Sequence, residues 1–131
     1  MRYLLDTNTC VYALKREPRV MGRLQEHSPD DFGISAVTLA ELWFGAAKSS
    51  RPKRTRESVD AFLLPFEILP FGAEAADEYA EARLSLEKTG EPIGERDLLI
   101  AATAISMNLT VITHNVREFS RVPRLRVEDW R

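Results

Sequence analysis

The stretch Arg2-Tyr3-Leu4-Leu5-Asp6-Thr7-Asn8 sets the unit from which the rest of the chain is built. Arg2 to Leu5 reads as a short buried strand, and Asp6-Thr7-Asn8 supplies the turn and cap chemistry that starts a helix running to about Leu14. Strand, polar turn and helix then recur. Pro18 suits the first turn of a second short helix, and Phe32-Gly33-Ile34-Ser35 reads as a strand followed by a long helical segment from about Ala36. Apolar residues return at helical spacing over Pro52–Phe66 and Ala73–Lys88, with the extended piece Glu67-Ile68-Leu69-Pro70 between them; Gly90 and Pro92 end the second of these helices. Leu98 to Met107 is apolar nearly all round, as a helix packed on several sides would be. Thr110-Val111-Ile112-Thr113 follows as a β-branched strand, and a last short strand is expected near Leu125–Val127. Strands separated by helices predict an α/β fold with a parallel sheet covered on both faces, because parallel neighbours need crossovers of a dozen or more residues. In such sheets functional groups collect beyond the carboxyl ends of the strands, where Asp6, Ser35 and Thr113 fall.

Composition narrows the chemistry. A chain of 131 residues fits one compact domain, and 44% apolar with 29% charged residues is ordinary globular usage. No apolar run approaches the ~20 residues that cross a bilayer, and Asp6 interrupts any signal-peptide core, so a cytoplasmic location is expected with no membrane association. Cys10 is the single cysteine and reads as a small core residue, while His27 and His114 stand far apart, so a metal would be held mainly by oxygen. Twenty acids against 18 bases give a net charge of -2, which excludes global attraction to nucleic acid and leaves only local basic patches.

The acids at helix starts have ordinary explanations one at a time. Asp6 is placed to cap a helix, and Asp97, like Glu95, lies in a first turn where the helix dipole favours a carboxylate. Glu41 is either the reciprocal acid of a capping box opened by Thr38 or a mid-helix residue of a helix capped by Ser35. Three separate helices each bringing an acid to one edge of a sheet is harder to assign to capping alone. Carboxylates brought together repel, and a hard divalent cation such as Mg²⁺ or Mn²⁺ relieves the repulsion while binding substrate phosphates. That donor set points to phosphodiester hydrolysis.

Leu4-Leu5-Asp6-Thr7-Asn8, Ala40-Glu41-Leu42, Gly94-Glu95-Arg96-Asp97-Leu98-Leu99-Ile100-Ala101-Ala102 and Thr113-His114-Asn115 together resemble the PIN-domain VapC toxins. Leu125-Arg126-Val127-Glu128-Asp129-Trp130 is similar to the ending of the enteric-type branch of that family. The resemblance spans nearly the entire chain and implies a single PIN domain over residues 1–131, a three-layer α/β/α sandwich with a central, mostly parallel sheet. It implies a metal-dependent endoribonuclease, the toxin half of a bacterial toxin–antitoxin pair, using Mg²⁺ or Mn²⁺, pairing as a homodimer and held by a VapB-type antitoxin that occludes the acidic pocket. In the enteric-type branch the implied RNA is a tRNA, the initiator species cut in its anticodon loop, with translation as the target. Asp6, Glu41 and Asp97 would bind metal, and Asn8 and Thr113 would orient ligands or water. The chain departs from the family at Asn115, where many PIN nucleases carry a fourth acid; Glu118, three residues on and on the same side of a helical turn, is the candidate to replace it, with a solvated surface acid paired with Arg117 or Arg121 as the equal alternative.

Lys48-Ser49-Ser50-Arg51-Pro52-Lys53-Arg54-Thr55-Arg56 carries five bases and no acid, so Arg51, Lys53 and Arg54 are candidates for RNA backbone contact, with a solvated loop and helix start as the alternative. Trp43 and Phe44 read either as core or as a protein interface. Two other functions compete. A phosphoryl-transfer domain of the receiver or phosphatase kind is disfavoured because Asp6-Thr7-Asn8 lacks a second aspartate two residues on and no lysine ends a late strand. A catalytically degenerate PIN domain serving as a binding module is the non-enzymatic alternative, made conceivable by Asn115.

Overall fold

The computed structural model describes residues 1–131. Five strands form one sheet: β1 (Tyr3–Leu5), β2 (Phe32–Ser35), β3 (Glu67–Leu69), β4 (Thr110–Ile112) and β5 (Arg126–Glu128). Their order is β3-β2-β1-β4-β5, and every pairing is parallel, so the sheet expected to be mostly parallel is wholly so. Tyr3 pairs with Phe32 on one side and with Thr110 on the other, which makes β1 the central strand. The chain winds outward from β1 to β2 and β3, then crosses back to β4 and β5, leaving a switch point between β1 and β4. Ligand crevices of open α/β sheets form at such points.

Helices cover both faces. The chain runs through α1 (Thr7–Leu14), α2 (Pro18–Gln25), α3 (Ala36–Ala47), α4 (Pro52–Leu63), α5 (Ala73–Thr89), α6 (Glu95–Ser106) and the short α7 (Val116–Phe119), with a 3-10 turn at Pro29–Asp31 that the periodicity did not announce. Alternation along the strands divides the core. Leu4 and Val111 point to the face where Ala82 and Leu86 of α5, Ile100, Ala101 and Ala104 of α6 and Phe119 of α7 pack. Tyr3, Leu5 and Ile112 point to the opposite face, against Cys10 of α1, Leu42 of α3, and Val59 and Leu63 of α4. This period of two is why a strand of three residues suffices to bind two layers.

Trp130 is buried on the second face, 5.0 Å from Tyr3 edge to face and stacked on His27 at 5.4 Å. No helix is long and apolar enough to cross a membrane.

Candidate active site

Local sequence sets each acid at the carboxyl edge of the sheet. Asp6 follows β1 directly, its backbone N–H donates to Ile112 O of β4 at 3.1 Å, and its Oδ1 accepts from Thr9 N at 2.8 Å. Asp6 therefore caps α1, as the ordinary reading of the sequence has it, and it does so at the switch point with only 2% of its surface exposed. Ser35 is the cap of α3, its Oγ accepting from Thr38 N at 3.0 Å. That leaves Glu41 mid-helix, one turn beyond Thr38, and decides between the two capping alternatives. Gly94 precedes α6 and Asp97 stands in its first turn.

The four acids share one electrostatic neighbourhood. The Asp97 carboxyl is pushed up to about 6, first by burial and then by the charges of Asp6, Glu118 and Glu41, against a hydrogen bond from Asn115. Burial also raises Asp6; Thr113 and Thr9 hold it partly back, and Glu41 adds to the rise. Like charges crowded into a half-dry crevice produce these shifts, and a divalent cation would relieve them. As placed, no three carboxylates close around a common point. The chain's own donors separate them. Asn115 Nδ2 donates to Asp97 Oδ2 at 3.5 Å and to Glu118 Oε2 at 3.2 Å, bridging those two acids. Thr7 Oγ1 donates to Glu41 Oε1 at 2.6 Å, and Arg96 Nη1 donates to Glu41 Oε2 at 3.2 Å.

The sequence-derived candidates thus fall into two groups. Asp6, Glu41, Asp97, Glu118, Asn115 and Thr113 are drawn together, with buried Thr113 accepting from Asn115 N through Oγ1 at 2.9 Å. Asn8 is exposed on α1, and its neighbour Thr7 takes the inward position instead, linked both to Glu41 and, at 3.1 Å, to Thr38 Oγ1. The Glu118 carboxylate accepts from Asn115 and makes no ion pair with Arg117 or Arg121; Arg121 donates to Pro92 O at 2.6 Å. Thr7 and Arg96 were missed as site residues. Both lie inside the quoted motifs, yet their partner Glu41 is 34 and 55 residues away, beyond the reach of any local pattern.

A cleft of about 890 Å³ leads away from Thr7 and Glu41 between α1, α3 and α4, and Lys15, Lys48, Arg51 and Arg54 line it. Lys53 is exposed and does not line it. The five-base segment is therefore partly a groove wall, and Lys15, from α1's end, adds a cation the segment could not show. Trp43 is not core: it is 36% exposed, its Nε1 donates to Asp60 Oδ1 at 2.8 Å, and Arg56 stacks on its ring at 3.8 Å. Phe44 is 62% exposed. With Ala36, Val37 and Ala40 it lines a shallow apolar hollow of about 440 Å³ whose edge is formed by Glu41 and Arg96.

Comparison with known proteins gives the same lineage as the geometry. Residues 3–125 match the PIN domain family. Ribonuclease VapC2 of Rickettsia felis is 41% identical over 132 residues, covering 99% of this chain and 98% of that protein. The tRNA(fMet)-specific endonuclease VapC of Salmonella typhimurium is 38% identical over 130 residues, again covering 99% and 98%. The DNA-bound VapBC structure from Salmonella typhimurium superposes with a TM-score of 0.95 at 38% identity, covering 100% of this chain and 99% of that one. The parallel five-stranded sheet, the acids at its switch point and these relatives together show that the chain belongs to the PIN-domain family, as a member of its VapC ribonuclease branch.

Proposed function

We infer that this chain is a divalent-metal-dependent endoribonuclease acting as the toxin of a VapBC-type toxin–antitoxin module. The observation that carries the reading is the gathering of Asp6, Glu41, Asp97 and Glu118 at one crevice, where the Asp97 carboxyl is pushed up to about 6, first by burial and then by the charges of Asp6, Glu118 and Glu41. Such a crevice is poorly suited to stand alone and well suited to a hard cation. Asp6, Asp97 and Glu41 are the residues that would hold Mg²⁺ or Mn²⁺, with Glu118 adding charge through its link to Asn115. When bound, the ion supplies Lewis-acid stabilisation of phosphoryl oxygens and an activated water.

The chain's own residues do the rest. Hydrogen bonds from Thr113 and Thr9 favour the charged form of Asp6 and partly offset the effect of its burial. Thr7 fixes Glu41 by a 2.6 Å hydrogen bond and in turn contacts Thr38, so Glu41 presents a constant orientation to an attacking water. Lys15, Lys48, Arg51 and Arg54 carry the RNA backbone along the cleft toward Glu41. Asn8 and Lys53 have no part in this scheme.

The substrate is taken to be a structured tRNA, on the strength of relatives named tRNA(fMet)-specific endonuclease. The partners are a VapB-type antitoxin, as in the VapBC complexes it superposes on, and a second copy of the chain, for which the exposed Phe44 hollow offers an apolar face. The test is cleavage of tRNA by the purified chain in Mg²⁺, its loss in EDTA and its return with Mn²⁺. Undiminished cleavage in EDTA would reject the metal-dependent reading.

A further inference from the structure

Arg96 carries the wrong charge for its position. It is the second residue of α6, where the helix dipole favours anions, and Glu95 and Asp97 on either side obey that preference. Its side chain is 71% exposed, so no packing demand explains it. What it does is donate from Nη1 to Glu41 Oε2 at 3.2 Å, while Thr7 holds Oε1 of the same carboxylate at 2.6 Å. Both oxygens of Glu41 are thus occupied by the chain's own donors. Arg96 forms the one ion pair made by any of Asp6, Glu41, Asp97 and Glu118. Its side chain stands at the edge of the apolar hollow of Val37, Ala40 and Phe44, with the guanidinium turned to Glu41.

We propose that Arg96 is a resident counter-ion of the acidic pocket: its guanidinium holds the Glu41 carboxylate until a divalent cation enters, and is then released to a phosphate of the RNA. The residue is a positioning group for Glu41 in the resting protein and an RNA contact in the loaded one. It therefore competes with the cation at the first stage and assists the reaction at the second. The assignment rests on the metal-dependent nuclease reading above.

These two roles give opposite signs in one variant, which a purely structural role cannot do. Mn²⁺ binding to the RNA-free chain is measured by calorimetry, and tRNA cleavage is measured separately at saturating Mn²⁺ across a salt series. Arg96→Gln is expected to bind Mn²⁺ about two- to fivefold more tightly, the range into which an exposed ion pair converts. The same variant is expected to cleave with a kcat/KM lowered by about fivefold or more, and with a salt slope shallower by about 0.7, the share of one phosphate contact on a single strand. Arg96→Lys keeps the charge and is expected within about twofold of wild type in both measurements. Equal Mn²⁺ affinity in Arg96→Gln and wild type overturns the proposal, as does a fall in affinity and activity together, or Arg96→Lys behaving like Arg96→Gln. A wild-type chain that binds no Mn²⁺ overturns the metal reading itself; one that binds and cleaves while Arg96→Gln matches it overturns the Arg96 assignment alone.

Discussion

Asp97→Asn is expected to make the metal-free protein more stable and the enzyme inactive. A carboxyl moved from the usual 3.8 to about 6 carries roughly 3 kcal/mol of difference between its charged and neutral forms. Asp97 is only half-buried, so solvent screening reduces this to about 1.5 kcal/mol. Removing a first-turn carboxylate gives back about 0.5 kcal/mol of helix-dipole stabilisation, leaving a net gain near 1 kcal/mol above pH 7. For a domain of this size that is a rise in Tm of about 3–5 °C. The sign with pH follows from linkage: the folded state binds the Asp97 proton more tightly than the unfolded state. Wild type without metal therefore loses stability as pH climbs from the unfolded value through about 6, and the variant does not share that loss. Divalent cation reverses the comparison, because it stabilises the protein that keeps the charge. The assay is thermal melting at pH 5 and pH 8, in EDTA and in Mn²⁺, beside tRNA cleavage. A variant that melts below wild type in EDTA at pH 8, or that cleaves like wild type, would refute the reasoning.

Other outcomes follow from the same geometry. Glu118→Gln is expected to weaken Mn²⁺ binding and cleavage clearly more than Asn115→Ala, since only the former removes charge from Asp97's surroundings; equal effects in a metal titration would exclude Glu118 from the site. Thr7→Val is expected to lower kcat by about tenfold while costing about 1 kcal/mol in stability, with Thr7→Ser restoring most activity because it keeps the 2.6 Å bond to Glu41. Arg51→Glu with Arg54→Glu is expected to raise KM for tRNA and flatten its salt dependence, whereas Lys53→Glu, outside the cleft, changes both less in the same steady-state assay. Trp130→Ala is expected to cost about 3 kcal/mol in urea unfolding, because a 4% exposed indole leaves a cavity against Tyr3 and His27.

The parts of the fold carried by local pattern were legible in the sequence. Asp6, Ser35 and Gly94 mark helix starts by their own chemistry, and the β-branched run at Thr110–Thr113 marks a strand by its own propensity. Errors of element ends, such as α4 stopping at Leu63 where helical spacing carries on to Phe66, lie where caps are weak. The site was legible only as a list of acids. Which of Thr7 and Asn8 faces Glu41 depends on the rotation of α1 against α3, and adjacent helical residues point about 100° apart. Arg96 on Glu41 and Lys15 in the cleft depend on how three helices lean together, which no spacing within one of them records. Trp43 and Phe44 show the same limit from the other side: apolar residues on an apolar-rich helix whose buried residues are Thr38, Leu42 and Ala46, yet both at the surface.

The central position of β1 has a consequence for how the protein comes into being on the ribosome. Tyr3 to Leu5 pair with Thr110 to Ile112, and Asp6 N–H is satisfied by Ile112 O. At about 5–20 residues per second, the strand that carries Asp6 waits on the order of 5–20 s for the partner that completes its side of the sheet. Until then Asp6 and Glu41 can be present on the nascent chain while Asp97, Thr113, Asn115 and Glu118 are absent or unplaced. The carboxylate crevice thus needs both ends of the chain: a nascent or prematurely terminated chain that lacks β4 lacks Thr113, Asn115 and Glu118 as well, and leaves Asp6 N–H without its Ile112 partner.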